Sequence, residues 1–288
     1  MLKAGYEMIV RPKLFLDTNI CINVASGQIP SDDWRRVRKH IGARFRYQIS
    51  FTTMKELFGK LARCADEYFE QNKEPLRVLY GPGKRCFLPY PSVFALRTVL
   101  GFHEITRKCD TLDLPDEQWA EFVVKAVLDA PSKAQLKAGI PVRNSIKRKM
   151  RFFDLDDFDS HENRPQNEHA DLLQGIREGR NDMPEPKTWA AWILHQHDQT
   201  PYTEQCARLV TALDAAYRFS CTLSRMSRDK GYDFHAHATD WGDATQLFYL
   251  CDPLMHFLTT DENCRNHTAG SNQSDRILLW REFVRSIE

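Results

Sequence analysis

No Cys-x-x-Cys pair occurs among the eight cysteines, which are scattered at 21, 64, 86, 109, 206, 221, 251 and 264. The chain is too long for a small disulfide scaffold. Most of the cysteines read as reduced, buried small hydrophobes. No apolar run approaches the ~18 residues that a membrane span needs. Lys3 and Glu7 interrupt any apolar signal region at the N-terminus, so the expected protein is soluble, unexported and cytoplasmic, with no membrane partner. Internal repeats and low-complexity tracts are missing too. Charge of one sign is also missing: 40 Lys and Arg stand against 39 Asp and Glu, a net charge of +1. Bulk charge therefore neither demands nor excludes a nucleic acid, and only local patches can speak to it. Gly81-Pro82-Gly83-Lys84-Arg85 lacks the Gly-x-x-x-x-Gly-Lys-Ser/Thr spacing of a phosphate loop.

What remains is an ordinary globular composition, 42% hydrophobic and 27% charged over 288 residues. It has material for one large domain, or for a core carrying an insertion. Leu14-Phe15-Leu16 is a short apolar run ending at Asp17, a buried strand by pattern. Ile20 and Val24 then fall one helical turn apart. Ser31-Asp32-Asp33 opens a second helix through Trp34, Val37 and Ile41. Residues 47–51 read as a strand, and Thr53 to Tyr68 as a helix. This alternation predicts a parallel sheet flanked by helices.

Gly81, Pro82, Gly83, Pro89 and Pro91 mark 81–91 as a loop. From 92 to 200 the pattern is helical, with candidates at 92–101, 116–130, 133–150, 166–179 and 187–197. One long helix is expected over 202–229, another from Asp240 to Leu250, and a last one over 275–287. His256 to Asp261 is a second apolar run ending in an acid.

Two strands thus end in carboxylates, Asp17 and Asp261. Two helices open with them, at Glu56 and at Asp240 and Asp243. In an open parallel sheet, strand ends and the following helix starts share one edge, where ligands bind. Carboxylates gathered there repel one another, and a hard divalent cation is the usual remedy. Paired metal ions on such a site suit hydrolysis of a phosphodiester. Each acid also has an ordinary reading. Asp17 can be a helix N-cap, Thr53-x-x-Glu56 a capping box, Asp240 and Asp243 acids favoured by the helix dipole, and Asp261 an Asx turn.

Taken together, Leu14-Phe15-Leu16-Asp17-Thr18-Asn19, Glu56 early in the next helix, Asp243-Ala244-Thr245 and Phe257-Leu258-Thr259-Thr260-Asp261 resemble the motifs of PIN-domain nucleases, in that family's order. The resemblance covers about 10–65 and 202–288. It implies a three-layer α/β/α sandwich with a central parallel sheet, a discontinuous nuclease core over 1–69 and 202–288, and an all-helical insertion over 70–201. It implies Mg²⁺- or Mn²⁺-dependent cleavage of single-stranded RNA by a toxin-type or PIN-like endoribonuclease. Asp17, Glu56, Asp243 and Asp261 would be the catalytic metal carboxylates, with Asp240 a spare ligand and Asn19 and Thr260 supporting polar groups. An antitoxin-like or regulatory protein and a homo-oligomer are partners that such a nuclease would suit. A catalytically inactive RNA- or protein-binding module and a structure-specific DNA nuclease are the alternatives.

Outside the motifs, residues 133–151 hold seven basic side chains and no acid, among them Lys147, Arg148 and Lys149, a stripe able to contact phosphates. An acidic run over 154–159 follows. It can neutralise the stripe or occupy a nucleic-acid groove. The pairs His195/His197 and His235/His237 are read as structural or surface histidines rather than zinc ligands. Trp189, Trp192 and Tyr217 are read as core.

Overall fold

A computed structural model describes residues 11–82, 85–103, 117–137, 140–143, 150–153, 183–228 and 240–287. Five parallel strands form the main sheet: β1 (Lys13–Leu16), β2 (Arg46–Ile49), β3 (Arg85–Phe87), β6 (Met255–Thr259) and β7 (Ile277–Leu279). A separate antiparallel hairpin joins β4 (Ile140–Arg143) to β5 (Met150–Phe153). The sheet order is β3-β2-β1-β6-β7. The chain builds outward from β1 in one direction, then returns to lay β6 and β7 on the other side.

Leu14, Phe15 and Leu16 are all fully buried, as befits a central strand covered on both faces. Alternation divides them between two cores. Leu14, Leu16 and Leu258 face a cluster built with helices Thr18–Ala25, Ser31–Arg44, Phe51–Arg63, Glu74–Tyr80 and Glu117–Asp129. Phe15 and Phe257 stack on the opposite face with ring centroids 4.7 Å apart. That face is closed by helices Pro91–Leu100, Pro186–His195, Thr203–Ala212 and Asp214–Arg228. The architecture is therefore α/β with a parallel sheet and helices on both faces, compatible with a three-layer sandwich.

Several expectations need correction. Strand β3 lies inside the stretch read as loop, and it pairs with β2 through Tyr47↔Arg85 to Ile49↔Phe87. The sheet thus draws on residues from within 70–201, and that stretch also carries the β4–β5 hairpin, so it is not all-helical. The helix expected over 133–150 stops at Lys137, and Pro141 and Val142 belong to β4. Ile277-Leu278-Leu279, read as helix, forms β7 because β6 offers it an open edge.

The long helix expected over 202–229 breaks at Leu213. Gln273 enters the break. Its amide donates to the carbonyls of Thr211 (3.3 Å) and Ala212 (2.9 Å), and its carbonyl accepts from Ala215 N at 2.9 Å. Trp192 is 45% exposed and is not core. Of the seven described cysteines, all free, only Cys21, Cys206 and Cys264 are buried. The expected helix at 166–179 and the acidic run at 154–159 lie outside the described residues, as do His235 and His237. No helix among the described residues is long and apolar enough to cross a membrane.

Candidate active site

The two strands that end in acids are neighbours. β1 and β6 pair in register from Lys13↔Met255 to Leu16↔Leu258, and the Asp17 amide extends the ladder to Leu258 O at 2.9 Å. These are also the strands between which the order reverses, so their C-terminal ends form the crevice where open α/β sheets bind ligands.

Asp17 occupies the N-cap position of helix Thr18–Ala25 but makes no capping hydrogen bond. Its Oδ2 instead accepts from Thr259 Oγ1 at 2.7 Å and, at 3.4 Å, from Asn19 Nδ2. Thr259 Oγ1 in turn accepts from the Asp261 amide at 2.9 Å. One hydroxyl thereby joins the two strand-end acids. Asp17 is only 2% exposed. Burial raises its pKa above the ordinary range and the nearby Asp261 charge adds to the rise, against the pull of the Thr259 hydroxyl and the amides of Asn19 and Thr18. The expected supporting hydroxyl was Thr260. It lies one position on and lines a neighbouring cavity, while Thr259 is the hydroxyl bonded to Asp17.

Glu56 does not cap its helix. The helix begins at Phe51, two residues before the expected start, and its N-cap is Ser50, whose hydroxyl accepts from Thr53 N at 3.3 Å. The capping-box reading fails for this geometric reason: Thr53 already lies in the first turn. Glu56 falls in the second turn and accepts a hydrogen bond from Thr18 Oγ1, next to Asp17. Across from it runs helix Asp240–Gln246. A Cβ added at Gly242 would overlap Glu56 Oε1, so this glycine is what lets the helix approach the carboxylate.

Beneath the acids lies a buried polar knot. Thr53 Oγ1 donates to Leu16 O at 3.0 Å and stands 3.3 Å from Gln246 Oε1. The three residues are wholly buried. They tie together the elements that carry Asp17, Glu56 and Asp243.

Two buried thiols lie within range of these charges. Burial pushes the Cys21 thiol up, and the charges of Asp17 and Glu56 push it further. Burial also raises Cys264, followed by the charges of Asp243, Asp17 and Asp261. Each of the four acids expected from the sequence thus lies within electrostatic range of one of these two thiols. The side chain of Asp240 lies outside the described residues. Asp261 additionally caps helix Glu262–His267, with Oδ1 accepting from Asn263 N at 2.8 Å.

The donor set is all hard oxygen, which suits Mg²⁺ or Mn²⁺, and the two nearby thiols are held protonated. Among the described residues, however, no group of three or more His, Cys, Asp or Glu stands close enough together to hold a metal ion. Glu56, Asp17 and Asp261 are turned to Thr18, Thr259 and the Asn263 amide, respectively. To share a cation they would exchange those partners for it.

Other expected site residues fall elsewhere. Lys147, Arg148 and Lys149 lie outside the described residues. Lys133, the first of the basic stripe, is 8% exposed, and its Nζ donates to Cys64 O at 2.7 Å. It stabilises a helix end and offers no free charge. His197 is buried, with Nε2 2.8 Å from Ser92 Oγ, whereas His195 is exposed. The two do not form a metal pair.

The sequence reading missed Thr18, Thr53, Gln246 and Thr259. Thr18 could have been suspected from its place beside Asp17. Thr259 becomes the partner of Asp17 only through the β1–β6 register, which no local pattern encodes. No family model, curated protein or solved structure matches this chain.

Proposed function

We propose that this protein is a metal-dependent endoribonuclease of PIN type, hydrolysing phosphodiester bonds of single-stranded RNA. One observation carries the reading. Asp17 and Asp261 follow adjacent parallel strands at the reversal of strand order, with Glu56 and Asp243 delivered to the same edge by two helices. Asp17, Glu56, Asp243 and Asp261 would hold Mg²⁺ or Mn²⁺. Bound there, such an ion supplies a water of lowered pKa and neutralises charge on the phosphate.

The chain's own residues prepare that chemistry. Thr259 fixes the orientation of Asp17 and the backbone of Asp261 together. Thr18, the residue after Asp17, donates to the Glu56 carboxylate and holds it. Gly242 keeps the helix that carries Asp243 close to the Glu56 carboxylate. Such supporting groups commonly matter about 10–100-fold for metal affinity or activity.

The test is cleavage of a labelled single-stranded RNA in Mn²⁺ or Mg²⁺, with EDTA as the blank. Wild type should cut, and Asp17→Asn should not. A folded wild type that cuts with neither metal would reject the reading. A second reading, an inactive RNA- or protein-binding module, is favoured by Asp17, Glu56 and Asp261 each accepting a hydrogen bond from a protein donor. Metal binding without turnover would select it.

A further inference from the structure

Beside the carboxylates opens a cavity of about 710 Å³. It adjoins the end of β6, because Thr260 and Glu262, on either side of Asp261, both line it. One wall is Asn23, a helical turn beyond Asn19, together with Gln28 from the loop that follows. The other wall is the last helix, Trp280–Ser286, which contributes Arg281 and Arg285 one turn apart. Trp280 is itself nearly buried against Trp34 and gives the cavity an apolar floor. Such a volume falls within the ~300–1,000 Å³ of small-ligand sites.

The lining chemistry is specific. Carboxamides such as Asn23 and Gln28 donate and accept, as base edges require. Guanidinium groups on adjacent turns match the phosphates of an extended strand. Two glutamates also line the cavity, but Glu282 is ion-paired with Arg265 and Glu262 stands 4.0 Å from Arg281. Among the described residues Arg285 has no ion-pair partner. An acidic site that must accept a polyanion needs positive charge close to, but not within, the carboxylate cluster. This wall supplies it.

We propose that this cavity is a nucleotide subsite flanking the scissile phosphate of single-stranded RNA. Arg281 and Arg285 contact backbone phosphates there, and Asn23 and Gln28 face a base. The proposal rests on the nuclease reading above and names where its substrate lies.

The experiment is fluorescence anisotropy of a labelled oligoribonucleotide against the full-length chain carrying Asp17→Asn, across a salt series. Adding Arg281→Ala with Arg285→Ala should weaken binding at least tenfold. It should also reduce the slope of log affinity against log salt by about 1.4, since each single-strand phosphate contact contributes ~0.7. Adding Asn23→Ala with Gln28→Ala should weaken binding and leave that slope unchanged. In the chain with Asp17 intact, the arginine pair should raise KM and spare kcat. Unchanged affinity and slope in the arginine variant, with unchanged thermal stability, would overturn the subsite. So would arginine-dependent binding of an acidic peptide without RNA. A wild type that binds RNA through these arginines and never cleaves it would keep the subsite and reject the nuclease reading.

Discussion

Thr259 Oγ1 lies 2.7 Å from Asp17 Oδ2 and accepts the amide of Asp261 at 2.9 Å. A single fully buried hydroxyl thus couples the acid after β1 to the acid after β6. Thr259→Val keeps the shape and removes both hydrogen bonds. It leaves a buried acceptor and donor unsatisfied, at a cost of about 1–3 kcal/mol. Thermal denaturation should show that loss, and metal-dependent cleavage should fall about 10–100-fold. Thr260→Val, one residue on, should change neither stability nor kcat appreciably. Equal effects at both positions would refute the coupling.

Asp17 predicts an unusual pH dependence. Its folded pKa is raised, chiefly by burial and then by the Asp261 charge. The folded chain therefore holds this proton to higher pH than the unfolded chain does. The resulting penalty is absent below the ordinary carboxylate range, grows as pH rises toward the raised value, and is full above it. Asp17→Asn removes it while still accepting from Thr259. In EDTA near neutral pH the variant should melt above wild type by about 2–4 °C, the worth of roughly 1 kcal/mol in chains of 150–250 residues. The gain should vanish toward acid pH. A variant that is less stable at every pH would contradict the assignment.

Gly242 separates folding from function. Alanine is the better helix former by up to about 1 kcal/mol. The only close atom its Cβ would meet is the mobile end of Glu56. Gly242→Ala should therefore fold with a melting temperature close to wild type. It should displace the Glu56 carboxylate from Thr18 and lower metal-dependent turnover about 10–100-fold. Full activity would show that Glu56 does not need its place beside Asp17.

The knot of Leu16, Thr53 and Gln246 holds three acid-bearing elements in place. Thr53→Val should cost about 1–3 kcal/mol in stability, and Gln246→Leu less, because among the described residues the buried Gln246 Nε2 already lacks a partner. Because both groups contact each other, the double variant should cost less than the sum. Strict additivity in denaturant unfolding would rule out the link between them.

Lys73 is 2% exposed, and its ammonium donates to Leu128 O (3.1 Å) and Ala130 O (2.8 Å) while pairing with Glu70 at 2.5 Å. It fastens the end of helix Glu117–Asp129 to the core. Lys73→Met should destabilise by about 2–4 kcal/mol through unsatisfied carbonyls, measurable by urea unfolding, with cleavage retained in the folded fraction.

Much of the frame was legible in the sequence. The apolar run Leu14-Phe15-Leu16 gave the central strand. Asp17 and Thr18 marked the start of a helix, and the acids at 56, 243 and 261 were read as one edge. Local pattern misled where pairing decides. Ile277-Leu278-Leu279 is as apolar as a helix face, yet it is a strand because β6 presents an open edge. Residues 202–229 carry one continuous amphipathic pattern, but Gln273, far along the chain, breaks the helix at Leu213.

By itself the sequence determined which residues are apolar, where acids end those runs, and that strands alternate with helices. Periodicity and residue chemistry are local, so a single chain displays them. Only the tertiary structure decided that β1 lies beside β6. It also made Thr259 rather than Thr260 the partner of Asp17, turned Glu56 toward Thr18 instead of its own helix end, and hid Lys133 against Cys64. Those outcomes depend on strand register and helix docking. Both are set by burial of the whole core, and no neighbourhood of residues contains that information.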